Sequence, residues 1–156
     1  MRHPHIVQFL GLCYLEGSML PVLVMERLDS SLDELLVGAP GLPLALKRSL
    51  LADVVCGLLY LHTQHPPIVH RDLTSKNVLL TSSLVAKISD LGNARIMQGQ
   101  VARITHMPGC MVYMPPEAFT EGCLYSLPLD VFSYGHLALF TLTQVRMGVN
   151  KIASTL

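Results

Sequence analysis

Two periods of hydrophobic spacing run through this chain, and the switches between them mark its elements. Leu46, Leu50, Leu51, Val54, Leu58 and Leu61 recur at helical spacing, which predicts a helix over 44–63. It ends at Thr63-Gln64-His65-Pro66-Pro67, where the prolines force the chain out of helix. Ser30-Ser31-Leu32-Asp33-Glu34-Leu35-Leu36 reads as a shorter helix with its own cap. Near the start, His3-Pro4-His5 makes a turn before a short strand that runs to Gly11. Apolar runs at 12–16 and 20–25 around Gly17-Ser18 predict a hairpin, and 78–80 and 84–88 around Thr81-Ser82-Ser83 predict another. Leu137-Ala138-Leu139-Phe140 extends a helix that starts near Asp130, and this part shows no polar face. Such a helix expects cover on every side. From Asn93 to Pro108 no period is visible.

One stretch breaks the pattern. Ile68-Val69 is apolar, His70-Arg71-Asp72-Leu73-Thr74-Ser75-Lys76-Asn77 is mainly polar, and Val78-Leu79-Leu80 is apolar again. Buried strands around a polar loop read as a scaffold presenting chemistry. A carboxylate and an amide on one such loop can face a common small volume, although an isolated His-Arg-Asp is more often an ordinary turn. Folding the second hairpin brings Ser89-Asp90-Leu91-Gly92 beside Asn77.

Composition narrows the partners. The 156 residues suit one domain, with 51% hydrophobic and only 14% charged residues and a formal net charge of zero. That balance argues against nucleic acid or an anionic membrane surface as the main partner. No run reaches the roughly 18 apolar residues of a membrane span. Cys13, Cys56, Cys110 and Cys123 show no C-x-x-C spacing, which suits reduced thiols in the cytoplasm. His3 and His5 are not expected to be a metal pair, because no third ligand cluster accompanies them.

The order His70-Arg71-Asp72-Leu73, three further residues, then Asn77 resembles the catalytic loop of protein kinases. Other segments follow in that family's order from residue 3 to about 141. Val22 to Leu28 resembles the fifth strand and hinge. Asp90-Leu91-Gly92 stands where the family has Asp-Phe-Gly. Met114-Pro115-Pro116-Glu117 resembles the Ala-Pro-Glu motif, and Leu129-Asp130-Val131 the start of the central helix. The resemblance implies a partial kinase-like α+β fold, with 1–28 the end of a small lobe and hinge and 29–156 a partial, mainly helical large lobe. It implies ATP and magnesium as cofactors and a protein substrate. Asp72 would take the proton from the attacking hydroxyl, Asn77 and Asp90 would hold magnesium, and Lys76 would face charge developing on the phosphoryl group. Met25 would lie behind the adenine, the backbones of Glu26 and Leu28 would bond it, and Leu79 would pack beneath it; simple core packing explains Met25 and Leu79 equally well. Asp130 would hold the catalytic loop through backbone N–H groups. Thr105 would be the one candidate phosphosite of the activation segment, with Arg71 as its partner.

No G-x-G-x-x-G occurs in the chain. The resemblance therefore makes this an internal piece of a kinase domain, expected to bind ATP weakly and transfer phosphate negligibly alone. A pseudokinase-like binding module and a fragment without independent activity remain as alternatives. The same reasoning expects the helix from Asp130 and the stripe on 44–63 to expose apolar surface. The acceptor evidence is divided. Thr74 and Cys110 replace a Lys and a Thr usual in serine/threonine kinases, and Lys76 stands where tyrosine kinases often carry Arg. Tyr113-Met114 follows the serine/threonine pattern. The balance favours serine/threonine specificity of the tyrosine-kinase-like group, in the cytoplasm or the cytoplasmic part of a membrane receptor.

Overall fold

The computed structural model describes residues 2–17, 19–97, 111–119 and 126–146. β1 (Phe9–Tyr14) and β2 (Pro21–Met25) form the first antiparallel hairpin, with Gly17 at φ 78° in its turn. β3 (Ser30–Ser31) leads into α1 (Leu32–Gly38), and α2 runs over Leu44–His62. β4 (Ile68–Val69), β5 (Val78–Leu80), β6 (Ala86–Ile88) and β7 (Arg95–Ile96) follow. α3 (Leu127–Thr143) is the last element among the described residues. β5 is the central strand of a small antiparallel sheet ordered β3-β5-β6, while β4 pairs with β7. The architecture is a partial α+β fold, as the sequence implies.

The local chemistry of the ends is legible. Ser31 caps α1 by accepting from the Glu34 N–H, and the Glu34 carboxylate accepts from the Ser31 N–H, a reciprocal capping box. α2 buries Leu50, Leu51, Val54, Leu58 and Leu61 against the sheet and α3, with Leu46 half-buried at the edge. The predicted stripe is thus covered rather than exposed, contrary to expectation. The large apolar residues that α2 does show to solvent, Leu44, Val55 and Leu59, lie off that stripe. On α3 the expectation holds in part: Leu137 and Phe140 are buried, whereas Val131, Leu139 and Leu142 are exposed.

More apolar surface lies on the first hairpin. Phe9, Leu10, Leu12, Tyr14, Leu23 and Met25 are all exposed, so side chains on both faces of the ribbon meet solvent. A two-stranded ribbon is at best marginally stable alone. Here it is moored by the Val7 N–H to the Ile88 carbonyl at 2.8 Å and by a parallel bridge between Ile6 and Ile88.

That mooring requires a close approach. α2 presents Gly57 to the chain at His5 and Ile88, and a Cβ there would lie 2.7 Å from the His5 carbonyl oxygen and 2.9 Å from Ile88 Cδ1. The backbone oxygen cannot swing aside, because it accepts from the Ile88 N–H at 2.9 Å. Gly57→Ala gains helix propensity but must separate α2 from the strand it crosses. The expected outcome is a net loss of about 1–3 kcal/mol in urea unfolding. A neutral or stabilising result would refute the close approach.

Candidate active site

The polar loop between β4 and β5 is anchored from below before its side chains meet anything. Asp130, in the first turn of α3 and fully buried, accepts from the His70 N–H at 2.8 Å on Oδ2 and from the Arg71 N–H at 2.8 Å on Oδ1. The helix N-terminus favours that negative charge. His62, in the last turn of α2, places Nε2 2.8 Å from Asp130 Oδ2. Arg71 has φ 71°, in the left-handed region, which costs a non-glycine residue about 1–2 kcal/mol. The two bonds to Asp130 hold the chain in that turn.

The turn sets the rest of the loop. His70 Nε2 lies 2.8 Å from the Ser89 carbonyl, which only accepts, so Nε2 carries the proton and donates. Nδ1 then accepts from the Asp72 N–H at 3.2 Å. Asp72 is half-buried, and its Oδ2 accepts from Asn93 Nδ2 at 3.2 Å. Asn77 donates from Nδ2 to the Asp72 carbonyl at 2.8 Å, which aims the other end of the amide, Oδ1, away from that carbonyl. The Asn77 carbonyl accepts from both the N–H and the hydroxyl of Ser89, at 2.8 and 2.9 Å. These bonds continue the register Val78↔Ile88, so Asp90 emerges next to Asn77, as the folded hairpin predicts. Asp90 is exposed at φ 57°, with Oδ1 accepting from the Gly92 N–H at 3.3 Å. Leu91 packs against the core in the place of the family's aromatic ring.

Lys76 is exposed and forms no ion pair among the described residues. It lines a groove together with Leu28, Leu79, Asp29 and Glu34. Leu28 and Leu79 are therefore brought together, whereas Met25, half-exposed at the end of β2, does not line that groove. After β2, the Glu26 N–H is committed to the Gln8 carbonyl at 3.0 Å and is not available to a ligand. The Glu26 side chain faces the other way. Its Oε1 accepts from the Gln8 N–H at 2.7 Å and from Lys87 Nζ at 2.8 Å.

The donor set fits a hard cation. An amide oxygen and an exposed carboxylate just beyond the ends of adjacent strands are the ligand types magnesium takes from protein, with phosphates and water completing its shell. Among the described residues there is no cluster of three or more His, Cys, Asp or Glu that would favour a different metal. His3 instead stacks on Tyr60 at 4.6 Å, and His5 Nδ1 lies 3.1 Å from the Ala86 carbonyl, so neither behaves as a ligand.

The chain matches the family described as protein kinase domain over residues 1–152. It belongs to the protein kinase family. A probable serine/threonine-protein kinase of Dictyostelium discoideum is 35% identical over 160 residues, covering 100% of this chain and 15% of that protein. Serine/threonine-protein kinase TNNI3K of Mus musculus is 37% identical over 136 residues, covering 86% of this chain and 16% of that protein. The dual specificity protein kinase splA of Dictyostelium discoideum is 37% identical over 161 residues, covering 91% of this chain and 6% of that protein. The chain spans about a sixth or less of the length of these relatives. No described helix is long and apolar enough to cross a membrane.

Within this kinase chain, sequence reading missed two partners of the site, His62 and Asn93. His62 stands at a helix end, and its contact with Asp130 spans 68 positions that no local period reports. Asn93 lies where periodicity stops, and only the turn at Leu91–Asn93 brings it to Asp72. Thr105 and Cys110 lie outside the described residues.

Two outcomes follow from these bonds. Asp130→Asn puts an amide group where two N–H donors and His62 converge, so one donor must lose its acceptor. The variant should lose about 3 kcal/mol in urea unfolding; a loss below about 1 kcal/mol would show that the clamp is dispensable. For Glu26, burial pushes the carboxyl up, but the Lys87 hydrogen bond, the Gln8 N–H and the Lys87 charge together outweigh it and hold the group below its ordinary 4.5. A depressed carboxyl contributes stability above its unfolded value and loses it as pH falls through the folded one. Lys87→Met should therefore cost about 1 kcal/mol at neutral pH and progressively less below about pH 4. An equal cost at pH 7 and pH 3 would contradict this.

Proposed function

We propose that this chain is the central part of an ATP- and magnesium-dependent protein kinase that phosphorylates Ser or Thr hydroxyls. In this reading residues 1–28 are the end of the small lobe and the hinge, and residues 29–156 are part of the large lobe. The observation that carries it is the orientation of Asn77. Its amide nitrogen is committed to the Asp72 carbonyl, which leaves Oδ1 as the acceptor end, and the hairpin register brings Asp90 next to the same residue. Bound Mg–ATP would supply the phosphoryl group and neutralise its charge.

The chain's own residues do the rest. Asn77 and Asp90, just beyond the ends of adjacent strands, would hold the cation. Asp72, steadied by Asn93, accepts the proton of an approaching hydroxyl. The backbones of Glu26 and Leu28 would bond the base, and Leu79 would pack beneath it. Lys76, free of any ion pair among the described residues, adds positive charge near the transferred group. Serine/threonine specificity is supported by the two serine/threonine-protein kinases among the relatives and by Tyr113, whose hydroxyl lies 3.2 Å from Ser75 Oγ and ties the docking segment to the loop. We place the protein in the cytoplasm or in the cytoplasmic part of a receptor, because its cysteines lack disulfide spacing.

A fluorescent ATP analogue titrated onto the purified chain tests the site. Binding should tighten with millimolar magnesium in the wild type, and Asp90→Ala should remove the magnesium dependence while leaving residual binding of the base. Affinity indifferent to magnesium, or an Asp90→Ala chain that responds like the wild type, would overturn the assignment.

A further inference from the structure

Two imidazoles lie two residues apart at the root of the β1–β2 ribbon, and they respond to acid in opposite ways. His5 Nδ1 faces the Ala86 carbonyl at 3.1 Å, and a carbonyl only accepts, so Nδ1 carries the proton. A further proton goes to Nε2 and leaves that bond intact, with Asp53 Oδ1 3.6 Å from Nδ1 to face the charge. His3 is wired the other way round. Its Nδ1 accepts from the His5 N–H at 3.2 Å, which requires a lone pair there and fixes the neutral tautomer protonated at Nε2. A proton on Nδ1 sets a donor against a donor.

The surroundings decide how readily that proton is taken. The His3 ring stacks on Tyr60 of α2, with centroids 4.6 Å apart and planes 18° apart, and lies 5.6 Å from the His5 ring. Arg2, Glu26 and Lys87 share a hollow with it, but the Glu26 carboxylate is already engaged by Lys87 Nζ and the Gln8 N–H. A cation over the Tyr60 face gains some attraction. Against it stand the burial of the ring and then the charge of His5, which together hold the His3 imidazole below its ordinary 6.5. A group whose folded value is lowered contributes stability above its unfolded value and loses it as pH falls through the folded one.

The bonds that moor the ribbon begin at this turn. The His5 carbonyl accepts from the Ile88 N–H at 2.9 Å, and the Val7 N–H donates to the Ile88 carbonyl at 2.8 Å. We propose that His3 is an acid-sensitive latch on the β1–β2 ribbon: protonation of Nδ1 removes the acceptor of the His5 N–H, opens the turn over residues 3–5 and loosens the Val7 and Ile88 bonds that follow it. The Ile6 bridge and the Glu26–Lys87 pair keep the ribbon attached, so the response is local loosening rather than global unfolding. His3, His5 and Val7 have no part in the nucleotide site, so the latch does not depend on the kinase reading.

Amide hydrogen exchange of the purified chain at about pH 7.5 and about pH 5.5, either side of the ordinary imidazole value, tests the latch once each rate is corrected for its intrinsic pH dependence. Protection of the Val7 and Ile88 amides should fall about fivefold on acidification, the worth of one net hydrogen bond, while Val54 and Leu58 inside α2 hold theirs. His3→Asn supplies a side-chain oxygen that reaches the His5 N–H in the same short turn but does not titrate, so its ribbon should stay protected at both pH values. Nitrogen-15 spectra of the His3 ring should show the proton on Nε2 alone at the higher pH. Wild-type protection equal at the two pH values, a fall that persists in His3→Asn, or a ring protonated at Nδ1 at the higher pH would each overturn the latch. A fall shared equally by Val54 and Leu58 would overturn it too, because it would report acid unfolding of the whole chain.

Discussion

A single buried carboxylate governs the site. Asp130 accepts two backbone N–H groups from consecutive residues of the loop, and one of those residues, Arg71, is in a left-handed conformation that its side chain disfavours. Desolvating a carboxylate is costly, and the cost is offset only when its lone pairs are filled. Here they are filled by the loop and by His62. The bonds from His70 to Ser89 and from Asn77 to Asp72 all presuppose the turn so held. Position, more than the reactivity of any one group, is what this arrangement supplies, and positioning dominates phosphoryl transfer.

Around that anchor the protein combines a well-packed half with an open one. α2 lies with its apolar stripe against the sheet and α3, and Gly57 lets it touch the strand bearing Ile88. The β1–β2 ribbon hangs from the same strand by few bonds and shows apolar side chains on both faces. Close packing thus lies behind Asp72 and Asn77, while Met25 and Glu26 sit at the end of the less supported ribbon. Local stability is expected to differ accordingly between these two regions.

Much of this was legible in the sequence, and for identifiable reasons. The α2 stripe, the Ser31–Glu34 cap and the β5–β6 hairpin are encoded by spacing within a few residues, so local rules find them. The convergence of Asn77 and Asp90 was legible because a hairpin register fixes it. What escaped was whatever depends on distant packing. The exposure of the first hairpin was hidden because its continuous apolar runs look like core on either face, and burial of the α2 stripe depended on α3 and the sheet. His62 and Asn93 carry no local signal of the carboxylates they meet.

The sequence separation of the clamp has a consequence in time. The bonds from Asp130 reach back 60 and 59 positions to His70 and Arg71. A chain made at about 5–20 residues per second therefore produces the loop roughly 3–12 s before the residue that shapes it. During that interval Arg71 has no reason to stay left-handed, and the Asn77 amide has no fixed Asp72 carbonyl to meet. A nascent chain can complete α2 and the small sheet and still carry an unformed loop. Birth of the site is thus tied to arrival of the last described helix, and newly made protein passes through a stage that is largely folded but chemically silent.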